Sequence, residues 1–278
     1  MTATTAGSPV PAATGRRIAV GLGIATVVLA SAATVPTFTI VVLAITIGSL
    51  WELSRMTARM GEPLIFPVGA LAIGTYVVLA ACNLQHAYEK LVLAGTVIGS
   101  LAFALVGSRQ KYIARSAITL FGVVYIGWLG SYFLALRNLP HVGTAYTVAA
   151  IVVIAFTDIF AMIVGTTIGR TPLTSISPKK TWEGAIGGFV ASVAIASAMA
   201  ALPALRITWS DGALIGAITS VAAQAGDIVE SALKRDARVK DAGSILAGHG
   251  GILDRFDSYI FGGIAFYASL FVTGHIPH

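Results

Sequence analysis

The sequence predicts an all-α protein, a polytopic bundle of transmembrane helices. Of its 278 residues, 56% are hydrophobic and only 11% are charged, whereas soluble globular domains carry roughly 25% charged residues. The mean hydropathy is +0.85. Uncharged runs recur along the chain, and their length matches the roughly 20 apolar residues that a helix needs to cross a bilayer. A lipid membrane is therefore the solvent for most of this chain.

Nine apolar segments follow one another, and we expect each of them to form a spanning helix. They cover residues 18–36, 37–53, 64–84, 91–107, 116–136, 144–168, 184–203, 212–230 and 257–274. Residues 1–15 are small and polar and contain proline, so we expect a disordered N-terminal tail there. Residues 16–278 then form a single integral membrane domain.

The basic residues indicate how this bundle is oriented. With nine spans, 15 Lys and Arg residues lie before the first span and after the second, fourth, sixth and eighth, and 3 lie on the other side, which together make the 18 of the sequence. Cytoplasmic loops carry such an excess, so we expect a cytoplasmic N-terminus. The formal charge of +6 is thus mainly a topological signal, and it gives no reason to expect a nucleic acid partner.

Acidic residues are concentrated in the C-terminal half of the chain. Nine of the 12 acids lie from Asp158 onward, whereas the interiors of the first five predicted spans carry no charge. We therefore expect residues 16–140 to be transmembrane scaffold helices. Residues 141–278 are expected to form a transmembrane catalytic region with cytoplasmic loops.

Asp158 lies in the middle of the apolar segment 144–168. A charged side chain there costs at least about 2.5 kcal/mol on insertion scales, and intramembrane acids of this kind are functional by default. The alternative is a structural hydrogen bond to a neighbouring helix. We expect Asp158 to contribute to a substrate site.

The loop at 165–188, GTTIGRTPLTSISPKKTWEGAIGG, combines glycines with the cations Arg170, Lys179 and Lys180. Glycines permit close backbone approach, and the cations suit a polyphosphate. The alternative is a basic loop that only determines topology. We expect Thr181 or Ser177 to cap the helix that follows.

The segment from Asp227 to Asp257 carries the most specific pattern. Asp227, Glu230 and Lys234 have helical spacing, which places them on one face at the end of the eighth span. Asp254 and Asp257 are three residues apart at the start of the ninth span. Carboxylates without His or Cys favour hard cations such as Mg²⁺, which also binds substrate phosphates. The alternatives are acids that only favour a helix N-terminus and a solvated basic face.

These residues resemble a known family. From Ser231 the chain has S-x-L-K-R, four residues, K-D, and then H-G-G-x-x-D-R-x-D ending at Asp257. This stretch is similar to the signature of the CDP-diacylglycerol synthases, also called phosphatidate cytidylyltransferases. The D-x-x-A-x-x-x-G-x-x-x-G pattern at Asp158 and the following SPKKTWEG resemble an earlier block of that family. Ala247 stands where members usually have Pro, which concerns loop geometry rather than the reaction.

The resemblance implies the reaction CTP + phosphatidate → CDP-diacylglycerol + pyrophosphate. It also implies a Mg²⁺ requirement, with a second cation such as K⁺, and a homodimer in the cell membrane (inner or plasma membrane) whose active site faces the cytoplasm. By the same resemblance, Asp227, Asp254 and Asp257 are metal ligands, and these acids together with Lys234 are catalytic. The implied substrate-binding residues are Asp158, Arg170, Ser177, Lys179, Lys180, Arg235, Lys240, Asp241, His249, Gly250, Gly251 and Arg255.

Two other functions remain open at this point. A CTP-dependent polyprenol or phytol kinase would also combine CTP with a membrane lipid, but it would transfer the γ-phosphate. A membrane transporter would explain Asp158 and the many spans. Its acids should line a path through the midplane, whereas most of these acids are predicted at the cytoplasmic edge, so the transporter is the weaker alternative.

Overall fold

The computed structural model describes residues 12–106, 111–243, 245 and 250–276, with side chains from residue 21 onward. Every regular element of these residues is helical. The helices are α1 Ala12–Ser31, α2 Val35–Arg59, α3 Phe66–Ala81, α4 Gln85–Val106, α5 Tyr112–Gly122, α6 Leu129–Arg137, α7 Gly143–Thr167, α8 Trp182–Ala198, α9 Trp209–Asp236 and α10 Leu253–Val272.

The π-helical turn Val123–Trp128 joins α5 to α6, so the two form one rod, Tyr112–Arg137. The described residues then contain nine helical rods, and each overlaps one of the nine predicted apolar segments. Six rods are long and apolar enough to cross a membrane by length and composition, and two more are shorter apolar helices. The prediction of an all-α polytopic membrane bundle is confirmed. The number of spans and the orientation stay predictions.

Local sequence explains where several helices begin. Thr34, Thr181 and Thr208 each accept a hydrogen bond from the backbone N–H three residues later, at 3.3, 3.2 and 3.2 Å. Such N-caps satisfy a backbone donor that the helix itself leaves without a partner. Of the two caps expected for α8, Thr181 rather than Ser177 holds the position.

Close helix packing brings the C-terminal elements together. A Cβ at Gly188 of α8 would lie 2.6 Å from the Thr157 carbonyl oxygen of α7. A Cβ at Gly226 of α9 would lie 2.7 Å from the Asp257 carbonyl oxygen of α10. Small residues allow this approach of helix backbones in membranes. As a result, acids on α9 and α10 face each other across a short distance.

The predicted orientation can be tested with the one cysteine of the chain. Cys82 is free and exposed at the end of α3, and a cytoplasmic N-terminus places it on the outer face. We expect a membrane-impermeant maleimide to label Cys82 in intact cells. In a Cys82→Ala variant carrying Met60→Cys, between α2 and α3, labelling should require permeabilised cells. The opposite pattern would reverse the orientation.

Candidate active site

Three carboxylates converge where α9 and α10 meet. One oxygen from each of Asp227, Glu230 and Asp257 lies within 4.8 Å of the others, and we call these three residues the acid cluster. Glu230 and Asp257 are buried, whereas Asp227 is half-buried. Oxygen donors without His or Cys are the ligand set that hard divalent cations prefer. The acid cluster therefore fits a metal ion of that class.

Helix geometry builds the acid cluster. Asp227 and Glu230 are three residues apart on α9, so their side chains leave the same face. Asp257 comes from α10, which Gly226 allows to approach α9 closely. Its Oδ1 also accepts a 2.7 Å hydrogen bond from the Ser258 N–H. The predicted meeting of acids from two adjoining helices is thus present for Asp227 and Asp257.

Asp254, the third metal ligand implied by the resemblance, is directed toward other donors. Its Oδ1 accepts a 2.8 Å hydrogen bond from Lys234. Its Oδ2 accepts hydrogen bonds from the backbone N–H groups of Ala242 at 2.9 Å and Gly251 at 2.7 Å. Glu230 instead joins the two other acids. Its three-residue spacing from Asp227 was the sequence signal that could have identified it as a candidate ligand.

Lys234 lies between two acids. Its ammonium group contacts the Glu230 carboxylate, one helical turn away, and forms the ion pair with Asp254 on α10. The Lys234 side chain is only 14% exposed and that of Glu230 is fully buried. Ion pairs are screened little in such surroundings, so Lys234 links the charge of α9 to the start of α10.

The segment 168–181, which we call the basic loop, has a defined shape. The Leu173 N–H donates to the Lys180 carbonyl oxygen at 2.8 Å, and the Trp182 N–H donates to the Thr171 carbonyl oxygen at 2.9 Å. These bonds fold the loop back on itself beside the start of α8. The sequence identified its cations, and the pairing across it is a tertiary feature.

Glu183, in the first turn of α8, fixes the beginning of the basic loop. Its carboxylate accepts a hydrogen bond from the Arg170 N–H at 3.1 Å and one from the Thr171 hydroxyl at 2.9 Å. A carboxylate is also favoured near the positive end of a helix dipole. The loop is therefore held by its own following helix, with the Arg170 side chain at the exposed surface.

Lys180 connects the basic loop to the acid cluster. Its Nζ lies 2.7 Å from Oδ1 of Asp227 and 3.5 Å from the Ser231 hydroxyl. A cavity of about 360 Å³ adjoins this ion pair, with Asp158, Ser177, Lys179, Lys180 and Asp227 in its lining. Two lysines and two acids thus face one cavity between the basic loop and helices α7 to α9, which suits an anionic ligand together with a cation.

Asp158 combines a structural hydrogen bond with a position at the candidate site. Its Oδ1 accepts a 3.2 Å hydrogen bond from the Ser258 hydroxyl of α10, so it holds α7 to α10. It also lines the 360 Å³ cavity. A structural bond and a position in the candidate site are therefore compatible here.

The other predicted residues are more dispersed. Arg235, Lys240 and Asp241 lie at the exposed surface after or near the end of α9. Gly250 and Gly251 precede α10, with Gly250 at a φ of +82°. Arg255 lines a separate, mostly apolar cavity of about 500 Å³ between α1, α2, α7 and α10. His249 lies outside the described residues.

Known proteins resemble most of this chain. A model described as the Cytidylyltransferase family matches residues 15–273. The phosphatidate cytidylyltransferase of Bacillus subtilis is 37% identical over 229 residues, which cover 81% of this chain and 85% of that protein. Phosphatidate cytidylyltransferase 4, chloroplastic, of Arabidopsis thaliana is 38% identical over 192 residues, 60% of this chain and 49% of that protein. The match thus spans about half of the plant relative and most of the bacterial one.

Lys234, which pairs with an acid on α9 and with one on α10, can be tested by substitution. Lys234→Met leaves Glu230 and Asp254 without their common cation, and removing one partner of a buried ion pair costs roughly 3–5 kcal/mol. We expect the lower part of that range, because Lys234 is slightly exposed. Thermal unfolding in detergent should show a clearly lower midpoint for Lys234→Met. Lys240→Met, at an exposed position, is the matched control; equal midpoints for the two variants would contradict the prediction.

Proposed function

Because the chain belongs to the cytidylyltransferase family, and is therefore a nucleotidyltransferase, we propose that it converts CTP and phosphatidate to CDP-diacylglycerol and pyrophosphate. The observation that carries this proposal is the position of Lys180. This cation of the basic loop pairs with Asp227 of the acid cluster at the edge of one cavity. Carboxylates that could bind a metal and lysines that could bind phosphate thus lie next to each other.

In the proposed reaction, a phosphate oxygen of phosphatidate attacks the α-phosphorus of CTP. The bond from that phosphorus to the β-phosphate bridging oxygen breaks, and pyrophosphate leaves in line. A phosphate monoester is already an anion at neutral pH, so the step needs no strong base. The difficulty is to bring two anions together and to stabilise the leaving charge. Positioning and electrostatic stabilisation supply most of what such a reaction needs.

The acid cluster fits this task. Asp227, Glu230 and Asp257 would hold the metal, for which Mg²⁺ is our proposal, with a second cation such as K⁺ nearby. A bound divalent ion neutralises phosphate charge and orients the triphosphate. Asp227 and Asp257 keep the role that the resemblance implies. For Asp254 we propose a positioning role, since its oxygens accept hydrogen bonds from Lys234 and two backbone N–H groups.

The lysines would then bind phosphates. A metal held by Asp227 would compete with Lys180 for that carboxylate, and the Lys180 ammonium group would then be available to a phosphate oxygen. Lys179 lines the same cavity. Lys234 keeps its two acid partners and contributes positive charge next to the cluster. The remaining predicted substrate contacts stay proposals: Asp158, Arg170, Ser177, Arg235, Lys240, Asp241, His249, Gly250, Gly251 and Arg255.

Phosphatidate is proposed to enter sideways from the inner leaflet, because its acyl chains then never leave lipid. The cavity lining includes Met162 of α7, whose surface is 62% exposed, and neighbouring apolar side chains of α7 and α8 are also exposed. Such faces suit contact with lipid. CTP would come from the cytoplasm to the same cavity. We further propose that the protein lies in the cell membrane with its active site facing the cytoplasm, and, on the resemblance alone, that it is a homodimer.

The fate of labelled CTP separates the proposed reaction from the kinase alternative. With purified protein, Mg²⁺ and a mixture of phosphatidate, polyprenol and phytol in detergent, label at the α-phosphate should enter the lipid product. Label at the γ-phosphate should leave as pyrophosphate. A polyprenol or phytol kinase would place the γ-label on its lipid, and a transporter would transfer neither. Either of those results would overturn the proposal.

The proposed metal ligands make a second prediction. Asp257→Asn removes one charged ligand, so we expect turnover to fall by roughly 100-fold or more, the scale of losing a main electrostatic group at a transition state. Mg²⁺ should also stabilise the variant less against thermal unfolding, because a ligand stabilises only the state that binds it. Asp236→Asn, at the exposed end of α9, is the control. Normal turnover and normal Mg²⁺ stabilisation of Asp257→Asn would exclude it as a ligand.

A further inference from the structure

Glu52 is a buried acid in the half of the chain expected to be scaffold. It lies two turns before the end of α2 and is 0% exposed. Its Oε2 accepts a 2.8 Å hydrogen bond from the backbone N–H of Leu253, 201 residues away and the first residue of α10. A carboxylate without water is costly unless it is well compensated. A buried acid at this place therefore calls for an explanation.

Two glycines form a slot around the Glu52 carboxyl group. A Cβ at Gly243 would lie 2.6 Å from the Glu52 Cδ. A Cβ at Gly251 would lie 2.7 Å from the same atom. For both glycines, the three nearest atoms to such a Cβ belong to Glu52. The carboxyl group thus packs against the backbone at both ends of the segment 243–251, where a side chain on either residue would displace it.

The start of α10 depends on this contact. Ile252, at the N-cap position of α10, makes no side-chain capping hydrogen bond. Glu52 accepts the Leu253 N–H instead, and a negative charge at a helix N-terminus is electrostatically favourable. Asp254 is the next residue and Asp257 lies one turn further. A carboxylate from α2 therefore lies at the point where the helix that carries both acids begins.

We propose that Glu52 is a positioning residue for the acid cluster. It fixes the first turn of α10 and both ends of the segment 243–251, and it acts on the metal and the phosphates through Asp254 and Asp257. Its effect on turnover rests on the function proposed above, whereas its effect on α10 does not. Groups that orient metal ligands without touching the metal typically contribute roughly 10–100-fold to metal affinity or activity. We expect Glu52→Ala to lower the Mg²⁺ affinity and the turnover by a factor in that range.

The test compares Glu52→Ala and Glu52→Gln with wild type in detergent or nanodiscs. Glu52→Gln keeps an acceptor for the Leu253 N–H, so its Mg²⁺ affinity and turnover should fall less than those of Glu52→Ala. Thr46→Val is the control, because Thr46 is buried on the same helix and, among the described residues, its hydroxyl donates to carbonyl oxygens of α2 alone. Hydrogen–deuterium exchange should rise in peptides covering 250–258 of Glu52→Ala, with no change around 215–226. In Glu52→Ala, half-maximal thermal stabilisation and half-maximal turnover should each require a Mg²⁺ concentration roughly tenfold higher or more. The KM for phosphatidate should stay the same.

A second comparison addresses variants that fold poorly. Gly243→Ala should impair Mg²⁺ binding and turnover in the wild-type background, because its Cβ collides with Glu52. In the Glu52→Ala background the same substitution should add little, which is the non-additivity expected of residues in contact. Equal losses in both backgrounds would overturn the proposal, as would unchanged exchange and Mg²⁺ dependence in Glu52→Ala. If the wild-type protein transfers no CMP, the proposed function fails. Hydrogen–deuterium exchange and Mg²⁺ binding then still decide the role of Glu52.

Discussion

The cost of removing carboxylates from water governs the arrangement of α9 and α10. Asp158, Asp227, Glu230, Asp254 and Asp257 lie where these helices meet α7. Lys180 forms an ion pair with Asp227, and Lys234 forms ion pairs with Glu230 and Asp254. Counted with Lys179, which lines the cavity beside Asp158 and Asp227, five acids and three lysines leave a formal excess of two negative charges. In surroundings of low dielectric, such an excess is unfavourable unless cations or hydrogen-bond donors offset it. The lysines therefore offset this negative charge only in part, and the acid cluster fits a divalent cation.

Close backbone approach makes this concentration of charge possible. Gly226 lets α9 and α10 meet where their acids begin, and Gly188 brings α8 against α7 beneath the basic loop. Larger residues would separate the helices and let the carboxylates reach water individually. The small size of these glycines thus strengthens the electrostatic interactions, because the distances between the acids follow from the distances between the helix axes.

The sequence predicted the helices and one face of the site, and it predicted less about contacts between helices. Nine apolar segments correspond to nine rods of the described residues, because apolar runs of that length fold as helices in lipid. The spacing within α9 placed Asp227, Glu230 and Lys234 together. Periodicity within one helix contains no information on its neighbours, however. The hydrogen bonds that direct Asp254 to Ala242 and Gly251 belong to tertiary structure, as does the approach of Glu52 to α10.

Glu52 also changes how the two halves of the chain relate. Asp254 accepts the Gly251 N–H from within α10, but the Ile252 side chain offers no acceptor for the Leu253 N–H. The capping carboxylate comes from α2 instead, and glycines at 243 and 251 leave room for it alone. A rigid transmembrane helix holds such a group more precisely than a loop does. We therefore infer that α2 takes part in the geometry of the site, and that a substitution in this expected scaffold can alter metal binding without touching a metal ligand.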